Sequence, residues 1–426
     1  MKKIEINIHE FGPLSGQTIT LAPFMIFTGK SGLGKSYVNY LTYYFFSSFT
    51  EGRLKDLVEY KLRESRPDQP LTITEDELRQ WLNDGAEPFM CELLGNDRLT
   101  CQVNFAFRLE EKQLTISYTK EDLTPELPKE LEGEQMIIYH VTVNASTPIR
   151  SIAHTPDRTT DPTASSLARA LGYYLQDHLF GEEFSRSVLL PPARSAYASK
   201  LYTAQDRATS SADLYHRALR DAGLSRIGLT VGKPSRRLIT PLVEKMLGGK
   251  LTYRKGRFTL ELPDGPKIPL TASASSVQEL SPLLFHLMNW SNIPHILCLE
   301  NPEAQLHPDM QVEIANLLAI LVNESSFLHL TTHSDYFLQR INQLIKTGYI
   351  RQEQPKTFKR LCKEHKLNSR LYLDASQIKA YYFHVDENRR VHVEELVIGR
   401  NGIPFSTFFD TVKKLRDDDD FLNTLL

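Results

Sequence analysis

The alternation of apolar and polar residues changes along the chain. Residues 3–27 alternate with a period of two or form short apolar runs between turn residues, which predicts strands. An aromatic-rich run, residues 36–46, follows a glycine-rich loop and is long enough for a buried helix. From about residue 50 to 150, charged helical segments give way to alternating strands, so this stretch is predicted to be an insertion.

The hydrophobic signal is strongest after residue 270. Residues 294–300 and 327–334 contain short continuous apolar runs, typical of strands buried on both faces. Helices are predicted near 164–180 and 200–222, and hairpins at 250–270 and 381–398. Two further helices are indicated by apolar residues at helical spacing, namely Leu280, Leu283, Leu284 and Leu287 in one and Met310, Ile314, Leu317, Leu318 and Leu321 in the other.

Composition narrows the class of protein without naming a function. A hydrophobic content of 41% and a charged content of 24% are ordinary for a soluble globular protein, and a net charge of -2 gives no global basic field for nucleic acid. The four cysteines lack CxxC spacing, which favours packing residues in a reduced setting. Because no apolar run approaches the ~18 residues that span a bilayer, we expect a cytoplasmic protein without membrane contact.

The segment IFTGKSGLGKS, residues 26–36, lies between a predicted strand and a predicted helix and matches G-x-x-x-x-G-K-[ST]. Glycines let backbone N–H groups turn towards phosphate oxygens, and the helix adds its positive N-terminal end. Lys35 is predicted to reach the β and γ phosphates of a nucleotide, and the Ser36 hydroxyl to bind Mg²⁺. The predicted nucleotide-binding residues of this segment are Gly29, Lys30, Ser31, Gly32, Gly34, Lys35, Ser36 and Tyr37.

Three later motifs carry further chemistry. Glu300 ends a buried strand. Folds with a phosphate-binding loop place there the acid that binds Mg²⁺ together with the loop serine, here Ser36. His333 follows the next apolar strand, where it can approach a γ-phosphate. A lone histidine is more often structural, but its position after the strand beyond Glu300 favours a functional role. Ser275 and Ser276 open a predicted helix whose N-terminus suits an anion, with a simple helix cap as the alternative.

The order of these motifs is the layout of an ATP-binding-cassette (ABC) ATPase with an insertion. The chain resembles prokaryotic ATPases of the overcoming-lysogenization-defect (OLD), AAA-15 and AAA-21 types, relatives of the RecF, Rad50 and SMC heads. The resemblance covers residues 1–50 and about 185–400. The segments that carry it are FTGKSGLGKS, LLPPARS, SASSVQELSPLL, LENPEAQLHPDMQ and TTHSDYF.

The resemblance implies an α/β fold, an ABC-type P-loop ATPase head with a mixed β-sheet flanked by helices. The expected domains are residues 1–50 for the N-terminal part of the head, 51–160 for an α+β insertion, 161–270 for a helical and hairpin lobe, and 271–426 for the C-terminal part. ATP and Mg²⁺ are the implied ligands, with Ser36 and Glu300 holding the metal and Lys35 acting on the phosphates.

Two positions depart from the family pattern. The family signature has Ser-Gly where this chain has Ser275-Ser276, and the usual catalytic glutamate after the magnesium acid is Asn301. Asparagine can orient a water molecule but cannot take a proton at neutral pH. The candidate water-positioning residues are therefore Glu303 and Asn301. Either Glu303 substitutes for the usual glutamate or hydrolysis is slow.

The implied function is an ATP-dependent switch in anti-phage defence or genome maintenance. Two or more copies would pair head to tail, with the Ser275 region of one copy closing over ATP on the next. Longer relatives append a Toprim nuclease, but no two-metal acidic motif follows His333, so a nuclease or toxin effector is expected as a separate chain. The alternatives are a sensor that binds ATP without turnover and a DNA-repair ATPase that acts directly on DNA.

Several residues stay open at this stage. Arg194, after a double proline, is predicted either to face a phosphate or partner subunit or to be a surface arginine. Gln102 and Gln135 are both candidates for the Q-loop glutamine. Residues 230–260 are either a nucleic-acid contact or a solvated face, and their cations are Lys233, Arg236, Arg237, Lys250, Arg254, Lys255 and Arg257.

Overall fold

Two compact units make up the chain, and each is described by itself. The first contains Met1–Leu21, Tyr40–Val188 and Ile293–Ile296, and the second contains Ala22–Asn39, Leu189–Asn292 and Leu297–Leu426. The computed structural model describes residues 1–50, 52–66, 69–123, 135–155, 161–195, 236–254, 257–288, 295–365, 368–404 and 407–423. The helix predicted at 200–222, Lys233 and Lys255 lie outside these residues.

Antiparallel pairing builds the sheets of the first unit. One sheet has the order β2-β1-β5 and the other β4-β6-β7-β8. The strands are β1 Glu5–Phe11, β2 Leu14–Thr20, β4 Leu71–Thr74, β5 Cys101–Ala106, β6 Gln113–Leu123, β7 Gln135–Val143 and β8 Ile149–Thr155. The helices are α2 Lys55–Glu64, α3 Glu75–Leu94 and α4 Thr163–Phe180. Thr74 and Glu77 start α3 by satisfying each other's backbone N–H groups.

Aromatic rings form much of the core of this unit. Helix α1, Lys35–Thr50, contains the predicted aromatic run, and the part from Tyr40 onward belongs to the first unit. The Phe45 ring stacks on Phe105 at 5.4 Å between centroids and meets Phe180 edge-on at 6.1 Å. Such pairs bury large apolar area in preferred ring geometries, which explains why this run is a buried helix.

A six-stranded mixed sheet, in the order β16-β15-β3-β14-β13-β9, is the main element of the second unit. Its strands are β3 Phe24–Gly29, β9 Ser187–Leu190, β13 Ile296–Glu300, β14 Phe327–Thr331, β15 Ile378–Val385 and β16 Val391–Leu396. β3 runs parallel to both β14 and β15, whereas β16 runs antiparallel to β15. Every residue of β13 and β14 is buried, as their continuous apolar runs predict.

The remaining elements of the second unit are one small sheet and a series of helices. The antiparallel strands β10 Lys250–Arg254, β11 Arg257–Glu261 and β12 Lys267–Pro269 confirm the predicted hairpin. The helices are α5 Arg236–Leu247, α6 Ser275–Met288, α7 Pro308–Asn323, α8 Asp335–Glu353, α9 Pro355–Glu364 and α10 Thr407–Asn423. Helix α7 packs on β14 and α8, although Met310 in its predicted apolar stripe is only half-buried.

The mixed sheet and its packed helices confirm the predicted α/β fold class. The division into domains at residues 50, 160 and 270 stays a prediction. Within the described part of the chain, no helix is long and apolar enough to cross a membrane.

Candidate nucleotide-binding site

Three glycines set the path of the loop between β3 and α1. Gly29, Gly32 and Gly34 have φ angles of 122°, 78° and 91°, a region that residues with a Cβ atom rarely adopt. A Cβ atom at Gly29 would also lie 2.2 Å from the carbonyl oxygen of Phe383 on β15. The sequence therefore folds here into a tight backbone turn, with Lys30 and Ser31 exposed on its outer side and Tyr37 half-buried in α1.

Lys35 is the first residue of α1, and its side chain reaches back to this loop. Its side chain is buried, and its Nζ donates hydrogen bonds to the carbonyl oxygens of Lys30 at 2.6 Å and Gly29 at 3.1 Å. Burial lowers the pKa of the Lys35 ammonium to about 8, while the nearby Glu300 carboxylate opposes that shift. The structure thus places the Lys35 ammonium against the backbone carbonyls of the loop.

Ser36 and Glu300 are brought together across the end of the sheet. The Ser36 hydroxyl donates to Glu300 Oε2 at 2.5 Å, the Asn39 side-chain amide donates to Oε1 at 3.1 Å, and the Thr331 hydroxyl reaches Oε2 at 3.4 Å. Burial raises the pKa of the Glu300 carboxyl, and these three hydrogen bonds oppose the shift. A hydroxyl oxygen and a carboxylate at one point fit Mg²⁺, which takes oxygen ligands.

Asn39 and Thr331 are contacts that the sequence reasoning missed. A signal for Asn39 exists, since it follows Ser36 by three positions and so shares its face of α1. Thr331 is the last residue of β14, beside β13 in the sheet, and its role depends on that strand order.

Residues 300–306, here called the acidic turn, leave β13 in an unusual backbone conformation. Asn301 has a φ of 44°, in the left-handed region that asparagine enters more readily than most residues. Its N–H donates to the Thr331 carbonyl at 3.0 Å, and its Oδ1 accepts from the Thr331 hydroxyl at 3.3 Å. This backbone is a physical reason for asparagine at the position where the resembling family has glutamate.

Glu303 joins the acidic turn to the start of the segment that follows β14. Its Oε1 accepts hydrogen bonds from the Thr332 hydroxyl at 2.7 Å and from the His333 N–H at 2.9 Å. Its Oε2 is buried and has no hydrogen-bond partner among the described residues. Burial raises the pKa of the Glu303 carboxyl. One carboxylate oxygen thus accepts two hydrogen bonds, and the other accepts none from the described residues.

The His333 backbone therefore lies beside Glu303. The imidazole is half-buried, and burial followed by the Lys35 charge lowers its pKa. A lowered pKa keeps the ring neutral near pH 7, so it can donate one hydrogen bond and accept another.

Ser275 and Ser276 lie at the start of α6, with Ser275 exposed and Ser276 half-buried. In the part of the chain that the structure describes, neither serine hydrogen-bonds to the loop between β3 and α1. Gln102 is exposed on β5, while the side chain of Gln135 lies outside the described residues. Of the basic segment 230–260, Lys250 is exposed, and the side chains of Arg236, Arg237, Arg254 and Arg257 lie outside the described residues.

The expectation that Arg194 is a surface arginine is wrong. Its side chain is 2% exposed and forms an ion pair with the fully buried Glu279, with 3.2 Å between nitrogen and oxygen. The guanidinium also donates to the carbonyl oxygens of Glu300 at 2.6 Å and Asn301 at 3.0 Å. Arg194 is therefore buried, and a contact with a phosphate or a partner subunit stays a prediction.

Residues 223–338 match the family model of the AAA ATPase domain, AAA_15. The predicted resemblance to AAA-15 ATPases is confirmed. The matched range contains Ser275, Glu300, Glu303 and His333, so most of the side chains around the acidic turn lie within it. No curated protein matches the chain.

Solved structures of SMC heads are similar to the chain at low identity. An SMC head bound to the C-winged helix domain of ScpA has a TM-score of 0.40 and 10% identity over 94% of this chain and 98% of its own. The SMC head domain from Thermotoga maritima has a TM-score of 0.36 and 10% identity over 93% and 100%. An SMC head with an extended coiled coil, bound to the C-terminal domain of ScpA derived from Pyrococcus furiosus, has a TM-score of 0.39 and 10% identity over 97% and 99%.

Proposed function

We propose that this protein is a molecular switch that binds ATP with Mg²⁺ and hydrolyses it slowly to ADP and phosphate. The observation that carries the proposal is the 2.5 Å contact between Ser36 and Glu300, next to the buried Lys35. A chance glycine turn before a helix gives no reason for its serine to meet a buried acid on another strand. A phosphate loop does, since serine and acid are the two protein groups that such folds offer to the metal.

Each residue has a role that its position supports. The N–H groups of the loop and the start of α1 bind phosphate oxygens, and the Lys35 ammonium neutralises their charge. Ser36 and Glu300 would hold Mg²⁺, which supplies positive charge to the β and γ phosphate oxygens when bound. The neutral His333 senses the γ-phosphate through a hydrogen bond.

Asn301 and Glu303 are the two candidates for positioning the water. Only Glu303 can accept a proton, and its Oε2 has no hydrogen-bond partner among the described residues. Asn301 already accepts a hydrogen bond from Thr331 through its side-chain oxygen. These contacts favour Glu303 as the base and Asn301 as a residue that shapes the turn.

The composite site is completed by a second copy of the chain in this proposal. Ser275 and Ser276 of one copy close over the ATP bound by the loop of the other, and their exposed position at the start of α6 is compatible with that role. The resulting dimer or higher homo-oligomer would signal to a separate nuclease or toxin chain in anti-phage defence or genome maintenance.

Phosphate release and nucleotide binding test the proposal together. Lys35→Ala should abolish binding and turnover, Glu300→Gln should abolish Mg²⁺-dependent turnover, and Lys346→Ala, an exposed lysine on α8, is the matched control. Sedimentation with and without ATP measures the dimer. Absence of ATP binding by the wild-type protein would contradict the proposal as a whole.

One observation favours a second candidate, a sensor that binds ATP without turnover. The left-handed backbone at Asn301 disfavours the usual catalytic glutamate there. Tight ATP binding by the wild-type protein with no phosphate release would support the sensor over the hydrolase.

A further inference from the structure

Arg194 connects the acidic turn to two other segments. Its Nη1 donates to the carbonyl of Glu300 and, at 3.4 Å, to that of Pro191. Its Nη2 donates to the Asn301 carbonyl, while its Nε donates to the backbone carbonyl of Glu279 at 3.2 Å. The planar guanidinium therefore fixes the two peptide groups that carry the magnesium acid and the residue after it.

Glu279 completes this connection from the side of α6. Its Oε1 accepts from the Arg194 N–H at 3.0 Å, and its Oε2 accepts from the Ser195 N–H at 2.9 Å. The side chain is fully buried, and it lies four positions after Ser275 on the same face of α6. The first turn of α6, the segment after β9 and the end of β13 thus share one buried ion pair.

We propose that Arg194 and Glu279 form a rigid internal link, in which Arg194 is a positioning residue for ATP hydrolysis. The inference rests on the proposed function and adds the route by which α6 acts on the acidic turn of the same chain. Paired charges hold the geometry, because a shift of either group leaves a buried charge without its partner. A displacement of the α6 start therefore moves the Glu300 and Asn301 carbonyls.

The link gives the dimer a means of communication. When Ser275 and Ser276 of one chain engage the nucleotide of the other, the same helix adjusts the acidic turn of its own chain. Each copy then senses nucleotide on its partner before its own water is correctly placed. Coupling of the two sites in this way requires α6 to have two packed positions between which the nucleotide shifts the equilibrium.

Two conservative variants and one control test the link. Arg194→Lys keeps the charge but cannot reach all the carbonyls, and Glu279→Gln replaces one accepting oxygen by an NH₂ group. Arg340→Lys is the control, since this half-buried arginine on α8 hydrogen-bonds Asn316 rather than the acidic turn. Thermal unfolding, ATP binding, steady-state turnover and amide hydrogen exchange are measured for all three.

Both test variants should lower kcat by about tenfold or more, while the KM and the binding constant for ATP stay within about twofold of wild type. Exchange of the amides of residues 301–306 should rise in both, including Glu279→Gln, whose substitution is on a different element. Arg340→Lys should leave kcat and this exchange at wild-type values. Since the variants are made separately, a failure of one to fold leaves the other as the test.

The outcomes separate this inference from the proposed function. Wild-type kcat in a folded variant overturns the positioning role, and unchanged exchange at 301–306 in Glu279→Gln overturns the link. If the wild-type protein binds ATP but releases no phosphate, hydrolysis is wrong, and exchange alone then decides the link. If it binds no ATP, the proposed function fails as a whole, and exchange again decides whether the two segments are joined.

Discussion

The loop between β3 and α1 and the acidic turn form the two sides of the candidate site, yet different interactions hold them. Three glycines with positive φ angles, all between Gly29 and Gly34, shape the loop. The acidic turn is held by Arg194, Thr331 and Thr332, which come from distant segments. The loop's shape is therefore set by consecutive residues, whereas the turn depends on long-range contacts that a substitution elsewhere can break.

The largest expected effect tests the local side of this comparison. Gly29→Ala should lower the free energy of unfolding by about 3 kcal/mol or more, from the left-handed backbone and the close Phe383 carbonyl together. Urea denaturation measures it. Gly32→Ala is the control, because no atom lies within 4 Å of its added Cβ and only the backbone cost of about 1 kcal/mol applies. Equal losses of unfolding free energy in the two variants would show that the close approach of Gly29 to β15 does not constrain the loop.

The next effect concerns the chemistry of the acidic turn. Glu303→Gln keeps an oxygen for Thr332 and His333 but removes the base, so kcat should fall by about 100-fold with ATP binding unchanged. Asn301→Asp retains a residue suited to the left-handed backbone and should change kcat by less than about threefold. Single-turnover phosphate release measures both. A larger fall in kcat for Asn301→Asp than for Glu303→Gln would indicate that residue 301 positions the water. If neither variant changes kcat, neither residue positions the water.

An effect that is smaller per pH unit concerns β14, the strand that supports the turn. His329 is fully buried, and desolvation lowers its pKa to about 3. In the unfolded chain the His329 imidazole is protonated near pH 6.5, whereas in the folded chain it stays neutral down to about pH 3. The free energy of unfolding should therefore fall as the pH falls between about 6.5 and 3, by up to about 1.4 kcal/mol per pH unit. His329→Gln should flatten this part of the pH profile of urea unfolding. An unchanged slope would mean that another group carries it.

The smallest expected effect concerns the Thr332 hydroxyl, which donates to Glu303 and also accepts from the Ser334 N–H at 3.2 Å. Thr332→Val removes the hydroxyl that donates to Glu303, at a cost of about 1 kcal/mol. Thr347→Val is the matched control, since that hydroxyl bonds only within α8 to the Gln343 carbonyl and should cost less. Equal values in chemical denaturation would show that Thr332 does not hold the turn.

The same contrast explains what the sequence alone predicts. Buried strands such as β13 are predicted by their own apolar runs, and the meeting of Ser36 with Glu300 follows from the order of motifs. Arg194 could not be assigned in this way, since its acid partner lies on a helix 85 positions later and arginine is seldom buried.

Partners of single polar atoms are the hardest contacts to predict. The spacing of Asn39 from Ser36 indicates a shared helix face, but only the strand order shows that this face meets Glu300. Likewise, nothing near Glu303 in the sequence indicates that it accepts the N–H of His333.

Asn301 also has a consequence for how such a protein can evolve. A mutation to glutamate would offer a stronger base, but it would place a long side chain on backbone with a φ of 44°, a strain of about 1 kcal/mol. Faster turnover by that route needs a second change that relaxes the turn. Selection on this position therefore acts on backbone conformation and on chemistry at once. Asparagine suits the left-handed backbone.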